Sequence, residues 1–556
     1  MKRWKGILSL VLVSAVSLSG CFMKKESPST QETDNGSSGV SAEAKEVKDL
    51  TEEEKTKKYD PAITLSFNKE EVVTDYPDGQ DAENNDMYKM WEDVMGIKVK
   101  NKILTPPASM TEKMQLAISS NDIPDFGIVD NTMLASLVKN DMVEDMTNIY
   151  DSWATNVLKN ISEQSDKILF EPTTYDGKCM AIPVVNSLGD TYPILYIRKD
   201  WMDALNLSEP KTMDDVFDMA MKFTQEDPDG NGKDDTYGLY MDKDLTGLDY
   251  IMASYGAYTN DDFWIEGKDG EFKAGCTDEK AKKPLENLQK LYKAGGIDKE
   301  FAVKEPQKAL EGVAAGKIGI YVGLFFNPLG EMKDCVANIE GADWVAVKMP
   351  AEKEGEDYLP GVKPNVYGYM YAKKGIEHPE AVVVMLNHLA DRYASEYAEK
   401  SYSTFGDKYN ELAAKDEIRT SGPNNLMPFQ MATNINWGEK FTEALDAGEK
   451  HVEGKDEDYQ NVLNTDLPPE MQWAWKKVYL DAYLKIDFDH VKYSDYTGAP
   501  TETATKTASI LKTQKLKDFV SIIMGEDIDY FDKFVKTYND IGASQICKEI
   551  EETKNK

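Results

Sequence analysis

The chain has 556 residues, too many for one core and suited to two or three domains. Its 41% apolar and 10% aromatic content can fill several cores, which excludes global disorder. Asp and Glu number 99 against 64 Lys and Arg, a formal net charge of -35 that repels phosphate backbones and anionic membranes and argues against nucleic-acid binding.

The chain opens with MKRWK, a basic stretch, followed by GILSLVLVSAVSL, apolar but too short to span a bilayer as a mature helix. It ends in Leu18-Ser19-Gly20-Cys21, small residues directly before a cysteine. That is the arrangement of a bacterial lipoprotein signal: residues 1–20 are removed and Cys21 becomes a lipidated N-terminus at the extracytoplasmic face of the cell membrane. An ordinary buried cysteine after an apolar helix is the alternative. Residues 21–59 carry almost no large apolar side chains and many Ser, Thr, Glu and Lys, so they are expected to form a disordered tether. Cys179, Cys276, Cys335 and Cys547 lack CxxC spacing and suggest neither a zinc site nor a disulfide framework; buried thiols are expected, with a disulfide as the alternative.

From residue 60 strand and helix signals alternate. PAITLSF is a short strand, MYKMWEDVMG has helical spacing before Gly96, and MTEKMQLAISS runs through a polar turn into the strand FGIV. This order is the grammar of an α/β domain with a mostly parallel sheet. It recurs at YPILYIRKDWMDAL, a strand over 193–197 turning into a helix from about Asp200. EKAKKPLENLQKLYKAGG puts Leu285, Leu288 and Leu291 on one face and stops at Gly295-Gly296. GKIGIYVG is a further strand and PEAVVVMLNHLADRYA a further helix. Length and alternation suggest two α/β lobes, with crossings near 182–190 and 360–366.

Several segments in order carry a resemblance: SSNDIPD, ILYIRKDWMDALNLSEPKTMDD, DPDGNGKDDTYG, LYKAGGIDKEF, AAGKIGIYVG, KKGIEHPEAVVVMLN and IIMGEDIDYFDKFVKTYNDIGASQI. Together they resemble extracellular solute-binding protein family 1, in its large lipoprotein branch of carbohydrate receptors for bacterial ABC importers. The resemblance implies a two-lobed, periplasmic-binding-protein-like (Venus flytrap) fold, with solute held between hinged lobes. It implies a permease driven by a separate ATPase as partner. The expected division is lobe 1 over 60–186, lobe 2 over 187–362, a return to lobe 1 over 363–445, and a C-terminal helical part over 446–556, mainly in lobe 2. Two departures stand out: many relatives have glycine where this chain has Asn121, and the segment 254–257 matches loosely.

DPDGNGKDDTYG (227–238) offers oxygens in the order of a calcium loop. Asp227, Asp229 and Asn231 take positions one, three and five, Gly232 the sharp turn, Lys233 a backbone carbonyl, and Asp235 position nine. Position twelve is Gly238, not the bidentate glutamate of an EF-hand, and the loop joins a helix to a strand, so sensor-like opening is not supported. The resemblance adds the residue after the ninth, here Thr236, as a ligand. A structural calcium is the expectation, with a merely polar turn as the alternative.

A sugar site combines aromatic platforms with planar hydrogen-bonding groups. The candidates are Phe325, Phe326 and Asn327 after IGIYVG, Trp264 in NDDFWIEG, and Trp437 in NINWGEK. Arg198 and Asp200 in IRKDW, Asn186 and Asp190 near the first crossing, and Asp125 complete the set. Trp473 and Trp475 are read as core. His378, His388, His451 and His490 form no HExxH or paired-ligand spacing, and neither GxSxG nor GxxxxGK[ST] occurs. With 99 acidic residues a carboxylate-based enzyme stays possible on composition, and it is the resemblance that implies a non-enzymatic, membrane-anchored receptor for an oligosaccharide, expected to be monomeric. The alternative from a different class is a secreted calcium-dependent glycoside hydrolase or polysaccharide lyase, with a peptide-binding receptor as a lesser one.

Overall fold

The computed structural model describes residues 50–554 apart from 74, 75, 78, 414–425 and 453. Cys21, the signal segment and the tether up to residue 49 lie outside the described residues. Residues 50–59 correct the tether expectation, because they are clipped to the first lobe by polar bonds. Thr51 and Glu54 cap each other around the short turn Glu54–Thr56. Lys55 Nζ donates to the Ala154 carbonyl at 3.0 Å, and Asn387 donates to the Lys55 carbonyl at 2.9 Å. Counting apolar side chains could not reveal such an attachment.

In the first lobe, strands Ile63–Glu70 and Ile97–Thr105 pair in parallel. Phe126–Val129 and Ile182–Val185 both pair antiparallel with Val366–Ala372. Side chains join the two sheets. Asp125 Oδ2 accepts from the backbone and hydroxyl of Ser66, at 2.9 and 2.7 Å. Asn68 accepts from Ile128 N and donates to Ile128 O. Gly127 allows this approach: a Cβ there would stand 2.1 Å from Asn68 Oδ1. Along Tyr369–Ala372, alternate side chains enter opposite cores, as strand geometry demands. Asn121, just after helix Pro107–Ser119, has φ +55°, the left-handed conformation that favours glycine and that asparagine tolerates. The departure from relatives at this position therefore keeps the turn.

The second lobe is built on a sheet ordered Trp344–Lys348, Ile194–Arg198, Ile318–Gly323, Tyr237–Leu239. Both faces are buried. Leu195, Ile197, Ile320 and Val322 face a core closed by helices Glu502–Met524, Tyr530–Tyr538 and Ser544–Lys554. Ile194, Tyr196 and Tyr321 face the opposite core, to which Trp437–Ala447 contributes. The sheets are mixed rather than mostly parallel. In each lobe the reversed strand, Ile194–Arg198 or Val366–Ala372, is the first after the chain crosses between lobes.

The two expected crossings are present and lie side by side, since Asn186 N donates to Asn365 O at 3.0 Å. A third crosses near 432–435, where Leu188 N donates to Asn434 Oδ1 at 2.7 Å and Ala432 N to Val185 O at 2.9 Å. Ile435, Trp437 and Phe441 already belong to a second-lobe core, which corrects the boundary expected at 445.

Candidate functional site

A cavity of about 870 Å³ lies between the lobes. The first lobe supplies the C-terminal ends of two strands, residues 67–70 and 128–131, together with Tyr367, Tyr369 and residues 427–430. The second supplies Asp262, Trp264, Ser494, Tyr496, Thr497 and the first turns of helix Glu502–Met524. At the rim the Thr497 hydroxyl donates to Glu171 of the first lobe. Sites in open α/β sheets form outside the carboxyl ends of strands, because loops diverge there and leave a crevice.

Trp264 is the predicted aromatic that reaches the cavity. It is buried and fixed by its backbone: its N–H donates to Ser494 Oγ at 2.9 Å, and its carbonyl accepts from Asp495 N at 2.9 Å. Tyr367, missed in the sequence, belongs to the same lining and leaves 41% of its surface open. Asp130 Oδ1 accepts from Met133 N at 2.7 Å, capping the helix Asn131–Lys139. Asp262 pairs with Lys363 at 3.7 Å. Lys69 is almost fully buried, with Nζ 3.1 Å from the Met427 carbonyl.

The other predicted ligand residues stand elsewhere. Phe325 is core, its ring 4.6 Å from that of Tyr483, and Phe326 is partly exposed but outside the cavity lining. Asn327 Oδ1 accepts from Leu324 N and closes its own turn. Trp437 packs in the second-lobe core. Arg198 Nε and Nη2 grip the Asp200 carboxylate at 2.8 and 2.5 Å, with the guanidinium 4.5 Å from the Trp201 ring. That pair is structural, as the helix-start alternative required. Asp125 bridges strands at the end away from the cavity. Asn186 and Asp190 sit at the crossing, where burial raises the Asp190 carboxyl. Trp473 and Trp475 are half-buried against the second-lobe core. Sequence reading missed Lys69, Asp130 and Tyr367; the signal available for the first two was their place just after predicted strands.

The acidic loop joins helix Met213–Gln225 to strand Tyr237–Leu239, as expected. Asn231 Nδ2 donates to Asp229 Oδ2 at 2.7 Å and Asp235 Oδ1 at 3.1 Å, while Gly232 N donates to Asp227 Oδ2 at 3.0 Å. Burial, then the nearby Asp227 and Asp235 carboxyls, raise the Asp229 carboxyl. Lys233 N donates to Asn231 Oδ1 at 2.8 Å. The Thr236 hydroxyl is spent on the Phe223 carbonyl at 2.7 Å. The donors are all oxygen and suit a hard cation in kind. Among the described residues, no three acidic, histidine or cysteine side chains stand together as a metal centre.

Residues 87–381 match the family model described as bacterial extracellular solute-binding protein. The chain belongs to that family. This solute-binding protein is 25% identical to the polygalacturonan/rhamnogalacturonan-binding protein YtcQ of Bacillus subtilis, over 80% of this chain and 84% of the relative. Its fold is shared with the Streptococcus pneumoniae ABC-transporter substrate-binding protein FusA in complex with kestose, at 18% identity, TM-score 0.55, and 88% and 98% of the two chains. The alginate-binding protein AlgQ2, in a structure without calcium ion, matches at 16% identity, TM-score 0.55, and 90% and 99% coverage. These structures establish the two-lobed architecture of the solute-binding protein. No helix among its described residues is long and apolar enough to cross a membrane.

Proposed function

We propose that this solute-binding protein is a non-enzymatic receptor that captures an oligosaccharide between its lobes and delivers it to an ABC permease driven by a separate ATPase. The observation that carries the reading is the interlobe cavity of about 870 Å³, which joins aromatic rings to hydrogen-bonding side chains. Its volume is near the top of the range, ~300–1,000 Å³, of small-molecule sites and suits an extended ligand. Contacts drawn from both lobes favour the closed state, because only that state makes both sets. The names of the relatives, which give polygalacturonan/rhamnogalacturonan, kestose or alginate as what they bind, point to the same ligand class. Anchoring through a lipidated Cys21 and a monomeric state complete the proposal.

Incubating the purified protein with oligosaccharides tests it. A raised melting temperature with the sugar recovered intact is expected, because a ligand of the native state stabilises it. New reducing ends or unsaturated products would instead establish the hydrolase or lyase alternative.

The loop 227–236 is proposed to hold a structural calcium. Asp227, Asp229 and Asp235 would hold it with their carboxylates, alongside Asn231 turned to present its amide oxygen. Burial and the neighbouring Asp227 and Asp235 raise the Asp229 carboxyl, and a bound cation would favour its charged form. The bound ion would supply no chemistry beyond fixing the loop. At calcium about 100-fold above its dissociation constant, the gain is roughly 2.7 kcal/mol. Chelation should lower the melting temperature, Asp229→Ala should do the same and abolish the calcium response, and the preferred sugar should not change. Identical melting with calcium and with chelator would sink the assignment.

A further inference from the structure

Lys69, next to last in the strand Ile63–Glu70, lies in the cavity wall with 4% of its surface open. Its ammonium donates to the Met427 carbonyl and lies 5.3 Å from the Tyr88 ring centroid. Among the described residues no carboxylate comes within the 4.0 Å of an ion pair. Glu71, the adjacent acid, is engaged elsewhere: Tyr76 donates to both its oxygens, at 2.8 and 2.7 Å, and Val73 N to one of them. The other charges of the lining are accounted for. Asp130 caps a helix, Lys363 pairs with Asp262, and Glu70 is an exposed carboxylate of the lining. A buried ammonium with no carboxylate among the described residues to pair with is costly, and an arriving anion would lower that cost.

Resting on the receptor reading above, we infer that Lys69 selects an acidic sugar, its ammonium receiving the carboxylate of a uronic acid unit at the first-lobe wall of the cleft. Burial, offset in part by Glu71, pushes the lysine down to about 8. The groups acting on it are Glu71 and Tyr88, whose phenol burial keeps neutral across this range. An arriving carboxylate favours the charged form, so binding raises the lysine back and takes up a proton. Affinity for an acidic sugar therefore falls as pH rises through about 8, while affinity for a neutral sugar does not.

The test titrates the full protein with a triuronate and with the same trisaccharide methyl-esterified, which keeps the shape and removes the charge. The triuronate should bind roughly 10- to 100-fold more tightly, the worth of a hydrogen-bonded charge. Lys69→Met should erase that preference and Lys69→Arg retain most of it, with melting curves reporting that both variants fold. In wild type at pH 8.5, calorimetry in buffers of different ionisation enthalpy should register proton uptake with the acidic ligand alone. Equal binding of acid and ester, or a preference that survives Lys69→Met, overturns the role of Lys69 and leaves the sugar receptor standing. Binding of neither, with no other saccharide bound, overturns the receptor reading itself. If Lys69→Met does not fold, the pH dependence and proton uptake of the wild type decide.

Discussion

Replacing Asp200 by alanine is expected to cost about 3 kcal/mol of stability, at the lower end of the range for stripping a buried ion of its partner. Arg198 is the reason. Its side chain is 1% exposed, against 26% for Asp200, and it cannot return to water without unpacking the end of an interior strand. Two parallel N–H···O bonds to Asp200 and one from Nη1 to the Gly316 carbonyl at 3.0 Å satisfy the guanidinium, and the rings of Trp201 and Trp344 enclose it. Alanine leaves the charge in place and removes its compensation. The partial exposure of Asp200 lets water repair some of the loss, which sets the figure low in the range. Urea unfolding measures the change, and sugar affinity of the folded variant should stay at the wild-type value. A variant as stable as wild type that no longer binds sugar would return the pair to the ligand site.

The second large effect is acid destabilisation through His388. The helix Ala381–Asp391 is buried along its whole length. Within it, His388 Nδ1 stands 2.6 Å from Ser403 Oγ, and Nε2 has no hydrogen-bond partner among the described residues. Burial pushes the ring down from 6.5 to about 4. The unfolded chain thus binds a proton between those values that the native state refuses, and stability falls as pH drops through that window. The full loss, reached near pH 4, is about 2.5 pH units at 1.36 kcal/mol each, or about 3 kcal/mol. Above pH 6.5 the group contributes no slope. Unfolding of wild type and His388→Gln from pH 7 to pH 4 should give curves that converge by this amount relative to their separation at neutral pH. Parallel curves would show that the ring titrates normally.

Local chemistry was enough for much of the architecture. The strands PAITLSF, FGIV and GKIGIYVG, two crossings, and the passage of the acidic loop from helix to strand all follow from periodicity, turn residues and caps, which act over a few neighbours. Residues 50–59 escaped because their attachment is polar and reaches partners about a hundred or more positions away, Ala154 and Asn387.

The sequence by itself suggested two α/β lobes, through length and the order of short-range signals, and its family, through the resemblance of several segments in order; the ligand-holding plan was what that resemblance implied. Only the tertiary structure decided which aromatic or charged side chain meets solute. Phe325 and Trp437 carry the same local signal as Trp264, yet they pack into the second-lobe core, while Lys69 and Tyr367 come to the cavity. The physical reason is that burial in a strand or helix depends on what lies against it. Here the facing surfaces come from segments hundreds of residues apart, brought together by three crossings between the lobes.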